Sequence, residues 1–250
     1  MASKIRLIVG LGNPGREHER TRHNAGFWLV ERFAQANGVM LRKDGKFQAL
    51  VGRQESAFLL MPQSFMNGSG RAVQMLAGFF KIPAAEILVV HDELDFSPGT
   101  AKIKQGGGIA GHNGLRDISQ RLGSHDYWRL RLGIGHPGDR GAVSDYVLGK
   151  PSAEDRADID EAIGRSIEIL PLCVTGDMQG AMQKLHSVDK EKKAKPVEKK
   201  PEPAKAATKP EPKPEPKAAP KPEPKPEAKA EPKPEPEKKG LFGSLFGKKK

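Results

Sequence analysis

The end of the chain has a composition that cannot form a packed core, and this limits what the rest can fold into. Of the 250 residues, positions 190–250 hold 19 lysines, 10 glutamates and 14 of the 21 prolines, with few apolar side chains. Such a segment buries too little apolar surface to offset its chain entropy, and its prolines favour an extended conformation. We therefore predict one folded domain, residues 1–189, a disordered Lys/Pro/Glu-rich linker, 190–239, and a short apolar and basic segment, 240–250.

The same tail carries most of the net charge. It accounts for nine of the formal +11 charges and leaves 23 basic and 21 acidic residues in the predicted domain. The basic composition therefore does not by itself indicate that the domain binds nucleic acid; only a local basic cluster could. Residues 241–246 contain two Leu-Phe pairs next to three lysines. This pattern predicts a weak contact with an anionic membrane; the alternatives are a ribosome contact through the lysines and a tail that only aids solubility.

The remaining composition favours a cytoplasmic protein. Its single cysteine, Cys173, excludes a disulfide framework within the chain and is expected to be a small buried hydrophobic residue. No apolar run approaches the ~18 residues of a membrane-spanning helix. The N-terminal residues lead directly into a predicted strand and do not resemble a signal peptide.

Strand and helix patterns alternate along residues 1–189, which predicts an α/β fold. We expect a single domain with a mixed, mostly parallel sheet flanked by helices, because residues 87–90 are continuously apolar whereas residues 100–104 alternate like an edge strand. Further helices are expected after Pro151. The predicted strands cover residues 5–9, 47–51, 57–61, 87–91, 100–104 and 128–134, and the predicted helices cover 25–36, 69–80 and 114–122.

Residues 10–15, GLGNPG, match a dinucleotide-binding glycine pattern, but the context argues against that interpretation. In such sites the glycines open a helix directly. Here a charged stretch, residues 16–20, precedes the helical pattern. The acidic residue that could bind a ribose, Glu31, lies inside the helical pattern and not at the end of a second strand. We therefore expect no nucleotide cofactor.

Polar residues collect at the predicted element ends, where ligands of α/β sheets bind. His23 follows the first strand and its turn, and Asp92 follows the apolar strand at 87–90. Asn67 and Asn113 each precede a helical pattern, so they either cap a helix or line a cleft.

These motifs together resemble bacterial peptidyl-tRNA hydrolases. The resemblance covers residues 4–186 and is carried by GLGNPG at 10–15, TRHNAG at 21–26, PQSFMN at 62–67, HDELD at 91–95, the glycine-rich stretch at 106–114 and GIGHPG at 133–138. It implies a hydrolase, without metal or cofactor, that cleaves the ester between peptide and tRNA in peptidyl-tRNA released from ribosomes. We expect the protein to be a monomer. At the matching positions, His23 is expected to be the general base that activates water, and Asp92 to orient it.

The resemblance also implies substrate contacts. The three family asparagines correspond to Asn13, Asn67 and Asn113, and Asn13 is expected to distinguish a peptidyl group from a free aminoacyl group. Phe65 is a further expected contact. His18 stands where the family usually has tyrosine, so any contact of a phenol hydroxyl is replaced by an imidazole, and we expect His18 to contact tRNA.

A local basic cluster is predicted from the strand alternation. Lys102, Lys104, Arg129 and Arg131 can share one face of two strands, where they would bind phosphate or simply be solvated. By the resemblance, Lys104 and Arg131 are expected to contact the tRNA 5′ phosphate. The glycines at 106–111 would form either a mobile lid or a plain loop.

Two alternatives remain from the residues. Asp92, Glu93 and Asp95 could bind Mg²⁺, although ester hydrolysis does not require it, and no pair of histidines has metal-ligand spacing. His112 is assigned to the predicted lid. A noncatalytic RNA-binding protein on the same fold is the second alternative; the presence of His23, Asp92 and all three asparagines argues against it.

Overall fold

The structure is a computed structural model that describes the backbone of residues 4–194 and the side chains of residues 4–187. The predicted linker and C-terminal segment, with the proposed membrane or ribosome contact, lie outside the described residues, apart from residues 190–194. Those five residues continue the last helix, so regular backbone extends past the predicted boundary at residue 189.

The domain contains seven strands and six α-helices in the described range. The strands are Leu7–Gly10 (β1), Arg42–Asp44 (β2), Ala49–Gln54 (β3), Ala57–Pro62 (β4), Ile87–Glu93 (β5), Ala101–Gln105 (β6) and Trp128–Gly133 (β7). The helices are Ala25–Ala36 (α1), Ser69–Phe79 (α2), Asn113–Leu122 (α3), Val143–Leu148 (α4), Ala153–Thr175 (α5) and Met178–Ala194 (α6). The sequence analysis did not predict the three-residue strand β2 or the short helix α4.

All seven strands form one mixed sheet, as predicted, in the order β2-β3-β4-β1-β5-β7-β6. The four strands β4, β1, β5 and β7 are parallel, whereas β2, β3 and β6 join through antiparallel pairings. Five of the seven strands consequently run in the same direction. The apolar strand β5 is buried along its whole length, and β6 forms an edge of the sheet, both as the apolar patterns predicted.

Each face of the sheet packs against its own helices. Alternate residues of β5 divide between two hydrophobic cores: Leu88 and Val90 face α1, α5 and α6, whereas Ile87 and Val89 face α2 and α3. This division follows from the two-residue period of a strand. Cys173 lies in the first core, as expected, and burial raises the pKa of its thiol to about 12.

Glycine allows the first helix to approach the sheet closely. A side chain at Gly26 would collide with the carbonyl oxygen of Val90 and the backbone of Leu11, and one at Gly10 would collide with Gly26. The beginning of α1 therefore sits against the carboxyl ends of β1 and β5. That contact brings the His23 segment to the residues that end β5. Within the part of the chain that the structure describes, no helix is long and apolar enough to cross a membrane.

Candidate active site

A cavity of about 520 Å³ opens at the carboxyl ends of β1 and β5. Seven of the nine predicted site residues line it: Asn13, His18, His23, Phe65, Asn67, Asp92 and Asn113. The other two, Lys104 and Arg131, are not among its lining residues. The volume lies within the range of about 300–1,000 Å³ typical of small-molecule sites.

His23 and Asp92 form the hydrogen-bonded pair expected from the sequence. Nδ1 of His23 lies 3.0 Å from each carboxylate oxygen of Asp92, which is buried at the end of β5. A carboxylate only accepts, so Nδ1 carries the proton and Nε2 of the neutral ring is left as an acceptor. Nε2 has no hydrogen-bond partner among the described residues, and the His23 side chain lines the cavity.

His112 is a third member of this cluster, which the sequence analysis placed in the lid. Its Nε2 lies 3.1 Å from Oδ1 of Asp92. Its Nδ1 accepts hydrogen bonds from the backbone N–H groups of Gly114 and Leu115, and it thereby caps α3. Because Nδ1 accepts hydrogen bonds, Nε2 of the neutral ring must carry the proton, and this N–H group donates a hydrogen bond to Asp92. The only hint in the sequence was the position of His112 directly before a predicted helix.

Burial and charge set the protonation of the cluster. Burial would raise the pKa of Asp92, but the charges of His23 and His112 and their hydrogen bonds hold it well below its ordinary value. Burial alone lowers the pKa of His23, but the charge and hydrogen bond of Asp92 outweigh this and raise that pKa above 6.5. Burial, followed by the charge of His112, lowers the pKa of the neighbouring His91 to about 3, so that ring stays neutral.

The same cluster has residue types that can ligate a metal, although the histidine spacing gave no sign of it. Ligand atoms of His23, Asp92 and His112 all lie within 4.8 Å of one another. A metal on Nε2 of His112 would have to displace the proton that the helix cap keeps there. The hydrogen bonds of His112 therefore fit an N–H group at Nε2 better than a metal ion. The predicted alternative of an acidic Mg²⁺ group does not assemble, because Asp92 binds the histidines and Glu93 binds Arg131.

Asn13 is fixed by an interaction that the sequence analysis missed. Asn24 accepts from the backbone N–H of Asn13 (2.8 Å) and donates to its carbonyl oxygen (2.9 Å). Oδ1 of the Asn13 side chain accepts from the backbone N–H of Met66 (2.7 Å). The orientation leaves the Nδ2 group of Asn13 as a donor without a partner among the described residues. The backbone N–H of Asn13 is therefore occupied by Asn24.

Asn67 and Asn113 are exposed on the cavity and do not cap helices. Asn67 lies in a short 3-10 helix, Met66–Gly68, and the N-cap of α2 is a glycine. Asn113 begins α3 and accepts from Arg116, while His112 provides the cap. The interpretation of these asparagines as helix caps is therefore wrong, and both amides line the cavity.

Phe65 and His18 form an aromatic rim on the cavity. The Phe65 side chain is 64% exposed, which is unusual for a large apolar residue. The His18 ring packs edge-on to it, with 6.1 Å between ring centroids. Two flat rings at a cavity mouth provide surfaces on which a base can stack.

The predicted basic cluster does share one face of β6 and β7. Lys102 pairs with Arg131 and Lys104 with Arg129 across the two strands. Arg131 donates to Glu93 at 2.7 Å, and burial followed by the charges of Arg131 and Arg129 lowers the pKa of Lys104. Arg131 is thus bound to a residue that lines the cavity, Glu93, and the charges of Arg131 and Glu93 both act on Lys104.

Arg129 has a different role from the surface phosphate contact that the sequence analysis allowed. It is only 1% exposed and donates to the carbonyl oxygens of Gly107 and Gly108. The glycine-rich loop is therefore attached at its beginning to the sheet. Its later residues, 109–111, line the cavity.

Comparisons with known proteins agree with this fold. The family model described as Peptidyl-tRNA hydrolase matches residues 7–195. A peptidyl-tRNA hydrolase from Thiobacillus denitrificans is 57% identical over 182 residues, covering 73% of this chain and 90% of the relative. One from Neisseria gonorrhoeae is 51% identical over 191 residues, covering 75% of this chain and 100% of the relative. The crystal structure of the Acinetobacter baumannii peptidyl-tRNA hydrolase has a TM-score of 0.71 and 44% identity, covering 74% of this chain and 96% of that one. The chain belongs to the peptidyl-tRNA hydrolase family of hydrolase enzymes.

Proposed function

We propose that this chain hydrolyses the ester bond between a peptide and the 3′ ribose of tRNA, with His23 as the general base and without a metal or cofactor. One observation carries this proposal. His23 directs Nδ1 at both oxygens of a buried carboxylate, Asp92, and leaves Nε2 free on a cavity lined by three asparagines. This arrangement suits the removal of a proton from water.

In the proposed ester hydrolysis, a single nitrogen, Nε2 of His23, accepts a proton and later returns it. Nε2 of His23 takes a proton as the water oxygen attacks the ester carbonyl carbon. Asp92 stabilises the imidazolium that forms and does not take the proton itself. When the tetrahedral intermediate collapses, the carbon–oxygen bond to the ribose breaks. Nε2 then returns its proton to the 3′ oxygen of the tRNA, which leaves together with a free peptide.

Asn13 provides a physical basis for selecting peptidyl over aminoacyl tRNA. Met66 occupies its Oδ1, so the side chain offers only the Nδ2 donor to the cavity. An N–H donor stabilises a peptide carbonyl oxygen and repels the ammonium of a free aminoacyl group. Asn67 and Asn113 add amides that can hold the peptide and the 3′ end, and loss of an amide that binds the oxyanion typically reduces the rate by ~10²–10³.

Contacts with tRNA would lie on two sides of the cavity. His18 and Phe65 provide surfaces on which the terminal adenine can stack. Lys104 and Arg131 provide positive charge for the 5′ phosphate, which would recognise tRNA without reading its sequence. The carboxylate of Glu93 fixes the guanidinium of Arg131 in place.

The test is release of the amino acid from N-acetyl-aminoacyl-tRNA by the wild type and by His23→Ala. We expect cleavage of the blocked substrate but not of unblocked aminoacyl-tRNA, and loss of cleavage in His23→Ala with tRNA binding retained. His125→Ala, which changes an exposed histidine outside the cavity, is the matched control and should retain activity. A folded wild type that binds tRNA without cleaving it would instead support the noncatalytic RNA-binding alternative.

A further inference from the structure

A second cavity, of about 530 Å³, shares Asn13 with the first one. Its walls come from the turn after β1, from α1 and from the ends of β3 and β4, and include Glu19, Arg20, Trp28, Glu31 and Gln63. None of these residues takes part in the proposed reaction or in the proposed tRNA contacts. The two cavities are therefore neighbours that share Asn13 as a common wall.

The walls of this second cavity are held by specific contacts. The indole N–H of Trp28 donates to the backbone carbonyl of Glu19 at 2.7 Å, which attaches the turn to α1. The guanidinium of Arg156 lies 3.7 Å from the Trp28 ring centroid and is paired with Asp160 at 2.9 Å. The cavity is thus a built feature of the fold, and one of its two arginines already has a counter-ion.

Glu19 and Glu31 interact with each other on the wall of this cavity, which Arg20 and Arg156 also line. Glu19 and Glu31 form no ion pair within the described residues. Burial and the charge of Glu19 raise the pKa of Glu31. A cation placed between the two carboxylates would relieve this repulsion.

We propose that the second cavity is a subsite for the peptide residues upstream of the ester-linked one, and that Glu19 and Glu31 favour basic side chains there. This inference rests on the proposed function. The first cavity suffices for the terminal nucleoside and the ester-linked residue. An extended peptide advances ~3.3 Å per residue, so the next one or two residues pass beyond Asn13, the wall common to both cavities. The free Nδ2 group of Asn13 can donate to a peptide carbonyl on this path.

The experiment compares kcat/KM for N-acetyl-tripeptidyl-tRNAs whose first two residues are both lysine, both glutamine or both glutamate, each followed by alanine. N-acetyl-alanyl-tRNA, which is too short to reach the second cavity, serves as the reference substrate. We expect the wild type to prefer the lysine over the glutamate peptide by about 1.4- to 5-fold, the range for exposed ion pairs. Glu31→Gln should reduce this ratio and Glu31→Lys should abolish or invert it. Glu55→Gln, which removes an exposed carboxylate outside both cavities, should leave it unchanged.

The outcomes separate this inference from the proposed function. Equal kcat/KM values for the three peptides in the wild type would overturn the subsite while cleavage of N-acetyl-alanyl-tRNA upheld the hydrolase. A lysine preference that persists undiminished in Glu31→Lys would also overturn it. An enzyme that cleaves none of the substrates would overturn both. Because Glu31 lies on the exposed side of α1, both variants should fold, and unchanged cleavage of N-acetyl-alanyl-tRNA checks this directly.

Discussion

Replacing Asp92 by asparagine would change one carboxylate oxygen into an N–H₂ group within an otherwise intact cluster. Oδ1 of Asp92 lies 3.0 Å from Nδ1 of His23 and 3.1 Å from Nε2 of His112, and Oδ2 lies 3.0 Å from Nδ1 of His23. Nε2 of His112 must donate a hydrogen bond, because Nδ1 accepts the hydrogen bonds from the backbone N–H groups that begin α3. The amide oxygen therefore takes the Oδ1 position, and the amide nitrogen faces His23. Nδ1 of His23 can accept a hydrogen bond from this N–H₂ group when the ring carries its proton on Nε2, and we expect that tautomer to prevail in Asp92→Asn.

That tautomer blocks the nitrogen that must accept the proton of water. A wrong tautomer in a comparable histidine-aspartate pair reduces kcat by ~10⁴, and we expect a loss of about 10²–10⁴ here. This corresponds to roughly 3–5 kcal/mol in the activation free energy. In the wild type, kcat should rise with pH through a value above 6.5, because Asp92 raises the pKa of His23 and only the neutral ring accepts a proton. In Asp92→Asn, burial still lowers the pKa of His23 but the raising charge is gone, so the acidic limb of the residual activity should move below 6.5.

The measurement is kcat for N-acetyl-aminoacyl-tRNA between pH 5 and 9, with tRNA affinity as a check on folding. Asp95→Asn, an exposed carboxylate three positions later, is the matched control and should leave both kcat and the acidic limb unchanged. A loss smaller than about tenfold in kcat, or an acidic limb that does not move, would refute the tautomer argument.

Four further substitutions test the supporting structure. Asn24→Ala removes both hydrogen bonds to the Asn13 backbone, so the free energy of unfolding should fall by about 1–3 kcal/mol and selectivity against unblocked aminoacyl-tRNA should decrease. Denaturant unfolding measures the first effect and deacylation of the two substrates measures the second. Arg129→Met leaves two loop carbonyl oxygens without their donors, so KM for peptidyl-tRNA should rise several-fold and hydrogen exchange of the glycine-rich loop should increase; unchanged exchange would contradict its role as an anchor. Gly26→Ala should destabilise the protein by about 1–3 kcal/mol through backbone collisions, whereas Gly78→Ala, with open space around it in α2, should stabilise it by about 0.5–1 kcal/mol; thermal unfolding of the pair checks both signs.

Local patterns were sufficient for much of the fold. The bounds of α1 agree with the predicted helix because its apolar residues recur at helical spacing. The apolar run before Asp92 predicted a strand buried on both faces, and the alternation in Lys102 and Lys104 predicted an edge strand, both as observed. The short elements β2 and α4 were not predicted, because a few residues carry too little periodicity to reveal them. Their conformations depend on contacts with the rest of the domain.

The sequence by itself determined which residues could perform the chemistry: His23 and Asp92 stood out by residue type and by their positions at element ends, and the asparagines by the family resemblance. Only the tertiary structure decided how they combine. His112 joins Asp92 because α3 begins beside the end of β5, and Asn24 orients Asn13 because Gly26 lets α1 approach the sheet. Arg129, which looks like a surface charge in the sequence, is buried beneath the glycine-rich loop. A sequence pattern records periodicity and residue type along the chain, whereas hydrogen-bond partners and buried charges arise between segments far apart in it.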